Sequence, residues 1–272
     1  MVRILDYTGT PQERTTTVAE LRRLRTTGRR FTQTTAGTAE EGAAAEAAGI
    51  EMIACLGQAV AAVREGTSST FISAAIDFQG AVTPDELLRD AFAALEAGAD
   101  AVITARSLAH VEHLAADDLP VMGHLGFIPK KATLYGGVRT IGKTAAEAAH
   151  LWADFGRLQD AGAFAVECEL IPANLMAEIQ RRTGLVTVSL GSGPDADVVF
   201  LFQNDVCGEG PFVPRHARTY ADLAALHAQI RDERTRALRE WKADVESGAF
   251  PAESEISRTP DDELAEFLAE LD

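Results

Sequence analysis

The sequence predicts a closed α/β barrel of the (β/α)8 type. Eight short apolar runs recur along the chain, and most are followed by a helical stretch, the alternation that builds a parallel sheet. The runs are near-continuous in apolar residues, as strands buried on both faces are. No Gly-x-Gly-x-x-Gly fingerprint follows the first strand, which weakens the runner-up, an open doubly wound sheet.

The elements follow in order. Residues 18–27 form an N-terminal helix, with Leu21 and Leu24 on one side, three arginines on the other and Gly28 as its stop. Residues 31–36 are the first strand; the Ala- and Glu-rich stretch 39–48 is its helix, ending at Gly49. Strand 50–56 precedes a short helix, 58–64, and turn residues 66–69. Strand 71–76 runs into Asp77. Thr83-Pro84-Asp85-Glu86 is a helix start: Thr as N-cap, Pro at the first helical position and Glu completing a capping box. Strand 100–105 and helix 108–115 come next. The fifth strand, 119–123, stops at His124 and opens a long loop to residue 142. Its Gly, Pro and Lys residues suit either an ordered loop over a site or a surface connection, and Phe127, Ile128, Leu134 and Tyr135 favour the first. A second capping box, Thr144 with Glu147, starts a helix that ends at Gly162. Strands 163–169, 185–190 and 198–202 complete the set, with helix 172–182 between the first two of them and a long helix, 220–245, near the end.

These elements assign residues 1–253 to the barrel domain and 254–272 to an acidic C-terminal extension, in which Leu264, Phe267, Leu268 and Leu271 give an amphipathic turn or two. The net charge of −16 disfavours nucleic acid, which needs a basic face. It leaves room for a small anionic substrate held by a local cation. No apolar run approaches the length of a membrane span, and residues 1–17 lack the apolar segment of a signal peptide. Cys55, Cys168 and Cys207 are widely spaced and form no ligand pair, as in a cytoplasmic protein with reduced thiols.

In such a barrel the chemistry sits at the carboxyl ends of the strands. Those ends offer Thr35, Gln58, Asp77, Arg106, His124, Glu169, Ser192 and the run Gln203-Asn204-Asp205. Glu169 stands in an apolar strand, where desolvation makes a carboxylate a general base; the plainer reading pairs it with a nearby Lys or Arg. His124 reads as an acid/base group or as a satisfied structural histidine. Glu167 shares the strand face of Glu169, lying deeper or paired, and Cys168 faces the other way.

The motifs Gly-His-Leu-Gly-Phe-Ile-Pro from Gly123, Tyr135-Gly-Gly, Ile141-Gly-Lys and Glu169-Leu-Ile-Pro resemble ketopantoate hydroxymethyltransferase. So do Pro214-Arg-His-Ala, Tyr220-Ala-Asp and Glu246-Ser-Gly-Ala-Phe-Pro, over residues 18–251. The resemblance implies a barrel of the phosphoenolpyruvate/pyruvate superfamily and a homo-oligomer, plausibly a decamer. It also implies a 2-oxo acid bound through Mg²⁺, 5,10-methylenetetrahydrofolate as one-carbon co-substrate, and Glu169 as the base. The motifs that resemblance places at its metal depart here. Cys55-Leu-Gly-Gln, Ala74-Ala-Ile-Asp-Phe and Val102-Ile-Thr-Ala-Arg put Gly57, Ala75 and Ala105 where three acidic ligands stand, so no metal ligand is assigned.

Three functions follow. One is an aldol-type enzyme in which Glu169 enolises a 2-oxo acid without the usual Mg²⁺. Arg106, Gln58, Thr35, Ser192 and Asp77 then contact substrate, and Gln58 and His124 face the enolate oxygen. The second is a non-catalytic binding or regulatory homologue. The third is ordinary ketopantoate synthesis.

Overall fold

A computed structural model describes residues 1–76 and 80–271, without the side chains of residues 25 and 26. The chain divides into two compact units, Met1–Tyr220 and Ala221–Asp272.

The first unit opens with a hairpin, β1 (Val2–Leu5) against β2 (Pro11–Arg14), which the sequence reading did not anticipate. Its strands, Val-Arg-Ile-Leu and Pro-Gln-Glu-Arg, bury only Arg14, so no core-facing apolar run marks it; Asp6 closes the turn by accepting from the Thr8 and Thr10 N–H groups at 2.9 Å. Helix α1 (Val18–Thr27) follows, capped by Thr17.

Then come β3 (Phe31–Thr35), α2 (Ala39–Ala47), β4 (Met52–Leu56), α3 (Val60–Gly66), β5 (Phe71–Ala75) and α4 (Pro84–Glu96). The chain continues through β6 (Ala101–Ile103), α5 (Leu108–Ala115), β7 (Val121–Gly126), α6 (Ala132–Tyr135), α7 (Ala145–Asp160) and β8 (Ala165–Glu169). The first unit closes with α8 (Ala173–Gln180), β9 (Val186–Leu190), β10 (Val198–Phe200) and α9 (Gln203–Cys207). Strands β3 to β10 pair in parallel and close into a barrel of order β10-β3-β4-β5-β6-β7-β8-β9. The expected (β/α)8 architecture is present.

Alternation along each strand builds two apolar layers. Met52, Phe71, Ala101, Met122, Ala165, Val186 and Val198 fill the barrel interior together with Leu21 and Leu24 of α1, which plugs the amino end. Ile53, Ile72, Val102, Val121, Val166 and Cys168 face outward onto the helices. Arg14, Arg64 and Asp100 form a buried ionic cluster at the amino-end rim.

The fifth barrel strand does not stop at Gly123: β7 runs to Gly126, and His124 lies within it, facing inward. Gly123 serves packing instead, because a Cβ there would lie 2.5 Å from Leu158 Cδ1 of α7.

The second unit contains α10 (Leu223–Ser247), N-capped by Asp222, and α11 (Asp261–Ala269). Trp241 and Phe250 meet edge to face at 6.4 Å within it.

Candidate active site

The carboxyl ends of the barrel strands surround a cavity of about 560 Å³. One side is apolar, from Leu56, Ala75 and Ile103 on β4 to β6 and Ala105 just past β6; the adjoining side, on β7 and β8, carries His124, Glu167 and Glu169. Ile128, Pro129 and Lys130, just past β7, bring the long loop to the rim.

Register sets the polar wall. His124 pairs with Glu167 and Gly126 with Glu169 across β7 and β8, so the three side chains share one interior patch. His124 Nε2 lies 3.1 Å from Glu169 Oε2 and 3.9 Å from Glu167 Oε1, and the imidazole also bonds to the Phe127 backbone. Burial pulls the His124 pKa down, but the close approach of Glu169 and the charges of Glu167 and Glu169 outweigh it and raise it. Burial pushes the Glu167 carboxyl up, against the pull of His124. Gly126 is required here: its φ is +89°, and a Cβ would sit 2.2 Å from the Glu169 carbonyl oxygen, which accepts from Phe127 N–H at 2.8 Å.

The turn after Glu169 is strained. Leu170 has φ +50°, a left-handed conformation costly for a residue with a branched side chain. Its amide donates to Leu190 O at 3.0 Å, and its carbonyl accepts from Ile141 N–H at 3.0 Å. Ser192 completes the clasp: its buried hydroxyl donates to Cys168 O at 2.7 Å and accepts from Ile171 N–H at 2.8 Å. Ser192→Ala leaves the Ile171 N–H without its acceptor, at a cost of about 1–3 kcal/mol. The expected fall in melting temperature is about 2–10 °C, and an unchanged melt would show that the turn holds without the clasp. The sequence expectation of Ser192 as a substrate contact thus meets a hydroxyl already engaged with backbone on both sides.

The other expected residues separate. Thr35 lines the cavity, with Oγ1 accepting from Gln203 N–H at 2.9 Å. Gln58 lies in the 3-10 turn Gly57–Ala59, behind Leu56 and outside the cavity lining. Arg106 also lies outside it: its guanidinium donates to Ala81 O and Val82 O at 2.9 Å, pinning the approach to α4. Asp77 falls outside the described residues. Lys130 was not singled out by sequence, although it is the lysine that reaches the cavity; the aperiodic loop gives no signal of which of its residues turns inward. Glu41 lines the cavity too, but its carboxylate caps α2, accepting from Gly37 and Thr38 N–H.

The Mg²⁺ that the resemblance implies requires oxygen ligands, usually with one or two carboxylates. Among the described residues, the β4 to β6 side presents Leu56, Ala75, Ile103 and Ala105, none with an oxygen-bearing side chain. The described residues of this wall supply no such ligand; the group that could hold a metal ion is His124, Glu167 and Glu169, whose donor atoms lie within 4.8 Å of one another.

Comparison with known proteins bears on the same residues. The family profile described as ketopantoate hydroxymethyltransferase matches residues 55–253. A 3-methyl-2-oxobutanoate hydroxymethyltransferase of Chloroflexus aggregans is 32% identical over 286 aligned residues, covering 94% of this chain and 99% of that protein. One from Chloroflexus aurantiacus is 35% identical, covering 78% and 74%, and one from Thermobifida fusca is 35% identical, covering 71% and 68%. Phosphonopyruvate hydrolase, solved with oxalate and Mg²⁺, superposes with a TM-score of 0.53 at 15% identity, over 88% of this chain and 93% of that one. A 2,3-dimethylmalate lyase gives 0.51 at 14%, over 84% and 89%. Those two likenesses establish a shared barrel fold. The profile match and the Chloroflexus aggregans relative, aligned over nearly its whole length, go further, and this chain belongs to the ketopantoate hydroxymethyltransferase family.

Proposed function

We propose that the chain transfers a hydroxymethyl group to a 2-oxo acid, and that 3-methyl-2-oxobutanoate, which the names of its relatives point to, is the first substrate to test. The observation that carries this reading is the convergence of Glu169 and His124 on one wall of the carboxyl-end cavity. The apolar branch of the acid lies against Leu56, Ala75, Ile103 and Ala105, and its carboxylate turns toward Lys130 at the rim.

Glu169 takes the proton from carbon 3, and the C–H electron pair becomes the enolate. The one-carbon donor that the family resemblance implies is 5,10-methylenetetrahydrofolate. Water frees its methylene as formaldehyde and leaves tetrahydrofolate. The enolate carbon bonds to the formaldehyde carbon, and the new alkoxide takes the proton from Glu169. One water is consumed and no electrons leave the system. The cavity of about 560 Å³ exceeds the needs of a short oxo acid, and Phe200 with Phe202, edge to face at 5.3 Å, offers aromatic surface to a flat donor ring.

The test is proton NMR of 3-methyl-2-oxobutanoate with the enzyme in D₂O. The carbon-3 proton signal disappears by exchange; a panel of 2-oxo acids that all keep their signals would overturn the reading. Lys130→Ala raises KM for the acid by roughly tenfold with a smaller change in kcat, as removal of a charge-assisted hydrogen bond does. Unchanged KM would remove Lys130 from carboxylate recognition.

We also infer self-association, in line with the ring-based oligomer that the resemblance implies. Leu226, Ile230, Leu238, Trp241 and Val245 form an exposed apolar stripe at helical spacing along α10. A monomer by light scattering at working concentration would count against it.

A further inference from the structure

We propose that the β3 side of the cavity, Gln33 with Thr35 and Gln203, is a polar subsite for the far end of the substrate. The site then prefers 2-oxo acids whose side chain ends in a neutral hydrogen-bonding group, a hydroxyl or a carboxamide. The proposal deepens the hydroxymethyl-transfer reading and rests on it for the reacting end of the acid.

Strand β3 sets the position of Gln33. Phe31, two residues back, fills the barrel interior, and Thr35, two residues on, lines the cavity, so Gln33 faces inward between them. Across the ladders its neighbours are Phe200 of β10, which lines the cavity, and Met52 of β4, which belongs to the apolar interior. Gln33 therefore stands at the cavity floor, where packed core gives way to the site. In the closed order of strands β3 is four places from β7, so the floor residue lies across the barrel from the strand of His124.

The fold makes no use of this amide. Gln33 is 3% exposed, yet neither its Nε2 nor its Oε1 has a hydrogen-bond partner in the protein. Burying an unpaired amide costs free energy, and an apolar side chain of like size would fill the position without that cost. Gln203, at the start of α9, repeats the pattern nearer the carboxyl end. It lines the cavity with its Oε1 buried and unbonded, while its Nε2 donates to Glu41 O at 3.3 Å. Thr35 ties into the same column: its Oγ1 accepts from Gln203 N–H at 2.9 Å and keeps its own proton to donate. The rest of this side is apolar, from Ala36, Ala54, Phe200 and Phe202.

These groups choose the class of ligand. A hydroxyl or a carboxamide donates and accepts at once, and so answers both ends of the Gln33 amide. A second carboxylate does not suit. Among the described residues the cation of the lining is Lys130, past the end of β7, and Glu41 is an anion on the β3 side. An alkyl end leaves the amide unpaired, and a site built to bond a substrate hydroxyl rejects the analogue that lacks it. With its carboxylate at Lys130 and its tail at Gln33, the acid crosses the cavity and presents carbon 3 on the side of Glu169.

The test uses matched pairs of 2-oxo acids: 5-hydroxy-2-oxopentanoate against 2-oxohexanoate, and 4-hydroxyphenylpyruvate against phenylpyruvate. Binding is read by thermal shift, and carbon-3 exchange above the enzyme-free rate by NMR in D₂O. The hydroxyl member of at least one pair binds roughly tenfold or more tightly than its partner. Gln33→Met removes that preference, and Gln203→Met reduces it. Without ligand, Gln33→Met melts at or above the parental temperature, as exchange of an unpaired buried amide for an apolar group does. A lowered melt shows that the fold needs the amide and overturns the subsite. Equal binding within both pairs, or a preference that survives Gln33→Met, overturns it as well. Hydroxyl acids that bind by this pattern, with no exchange from any 2-oxo acid, support the subsite and overturn the hydroxymethyl-transfer reading. Exchange of 3-methyl-2-oxobutanoate with no preference in either pair upholds that reading and overturns the subsite.

Discussion

Glu169→Gln stops carbon-3 proton exchange of a bound 2-oxo acid while leaving its binding nearly intact. The amide occupies the volume of the carboxylate but accepts no proton, so the loss is that of a general base, about 10²–10⁴-fold in rate. Binding survives because the apolar wall and Lys130, which contact the branch and the carboxylate of the acid, are untouched by the substitution. The backbone of residue 169 keeps its bond from Phe127 N–H, so the strand end stays in place. Exchange is followed by NMR in D₂O and binding by thermal shift, since a ligand raises apparent stability by mass action. Exchange at the parental rate would remove Glu169 as the base. Loss of binding together with exchange would mean that the carboxylate holds the substrate instead.

The barrel was legible because its determinants are local. Runs such as Phe71-Ile-Ser-Ala-Ala and Val186-Thr-Val-Ser-Leu are bounded by turn residues and alternate with helices whose caps are written in the sequence, as at Thr83 and Glu86. The hairpin before α1 was not legible, because its position rests on Arg14 bonding to Ser68 O and Asp100, partners far along the chain. Glu169 and His124 could be placed at the cavity because polar side chains facing inward near the carboxyl ends of barrel strands open onto it. Even so, the extent of β7 was missed, since Gly123 reads as a stop when it is in fact the seat for Leu158. Arg106 shows the limit of strand-end reading. It is placed in sequence where a carboxylate partner would be useful, yet two backbone carbonyls before α4 take its guanidinium. Side-chain direction beyond a strand end is set by loop geometry, and no sequence period reports it. The same limit hid Lys130.

Asp100→Ala unfolds the barrel more readily by about 3–5 kcal/mol, the range for removing one partner from a buried ionic cluster. Asp100 precedes β6 at the amino end. Its Oδ1 accepts from Arg14 Nε at 2.7 Å, and its Oδ2 accepts from Arg64 Nη2 at 3.0 Å and from Ile72 N–H at 2.9 Å. The side chains of Arg14, Arg64 and Asp100 are 2%, 16% and 8% exposed, so water cannot take over the vacated bonds. Two guanidiniums would be left facing one another, anchored by carbonyls: Ser68 O and Glu13 O for Arg14, and Gly98 O, Thr70 O and Thr67 O for Arg64. The contrast is Arg236→Ala in α10, which breaks exposed pairs with Glu233 and Glu240 and costs about 0–1 kcal/mol. Denaturant titration of both variants measures the difference. Because the cluster and the cavity occupy opposite ends of the barrel, carbon-3 exchange at low temperature stays at the parental rate in Asp100→Ala. A denaturation midpoint equal to that of Arg236→Ala would show that the cluster is not what ties the hairpin and the starts of β5 and β6 together.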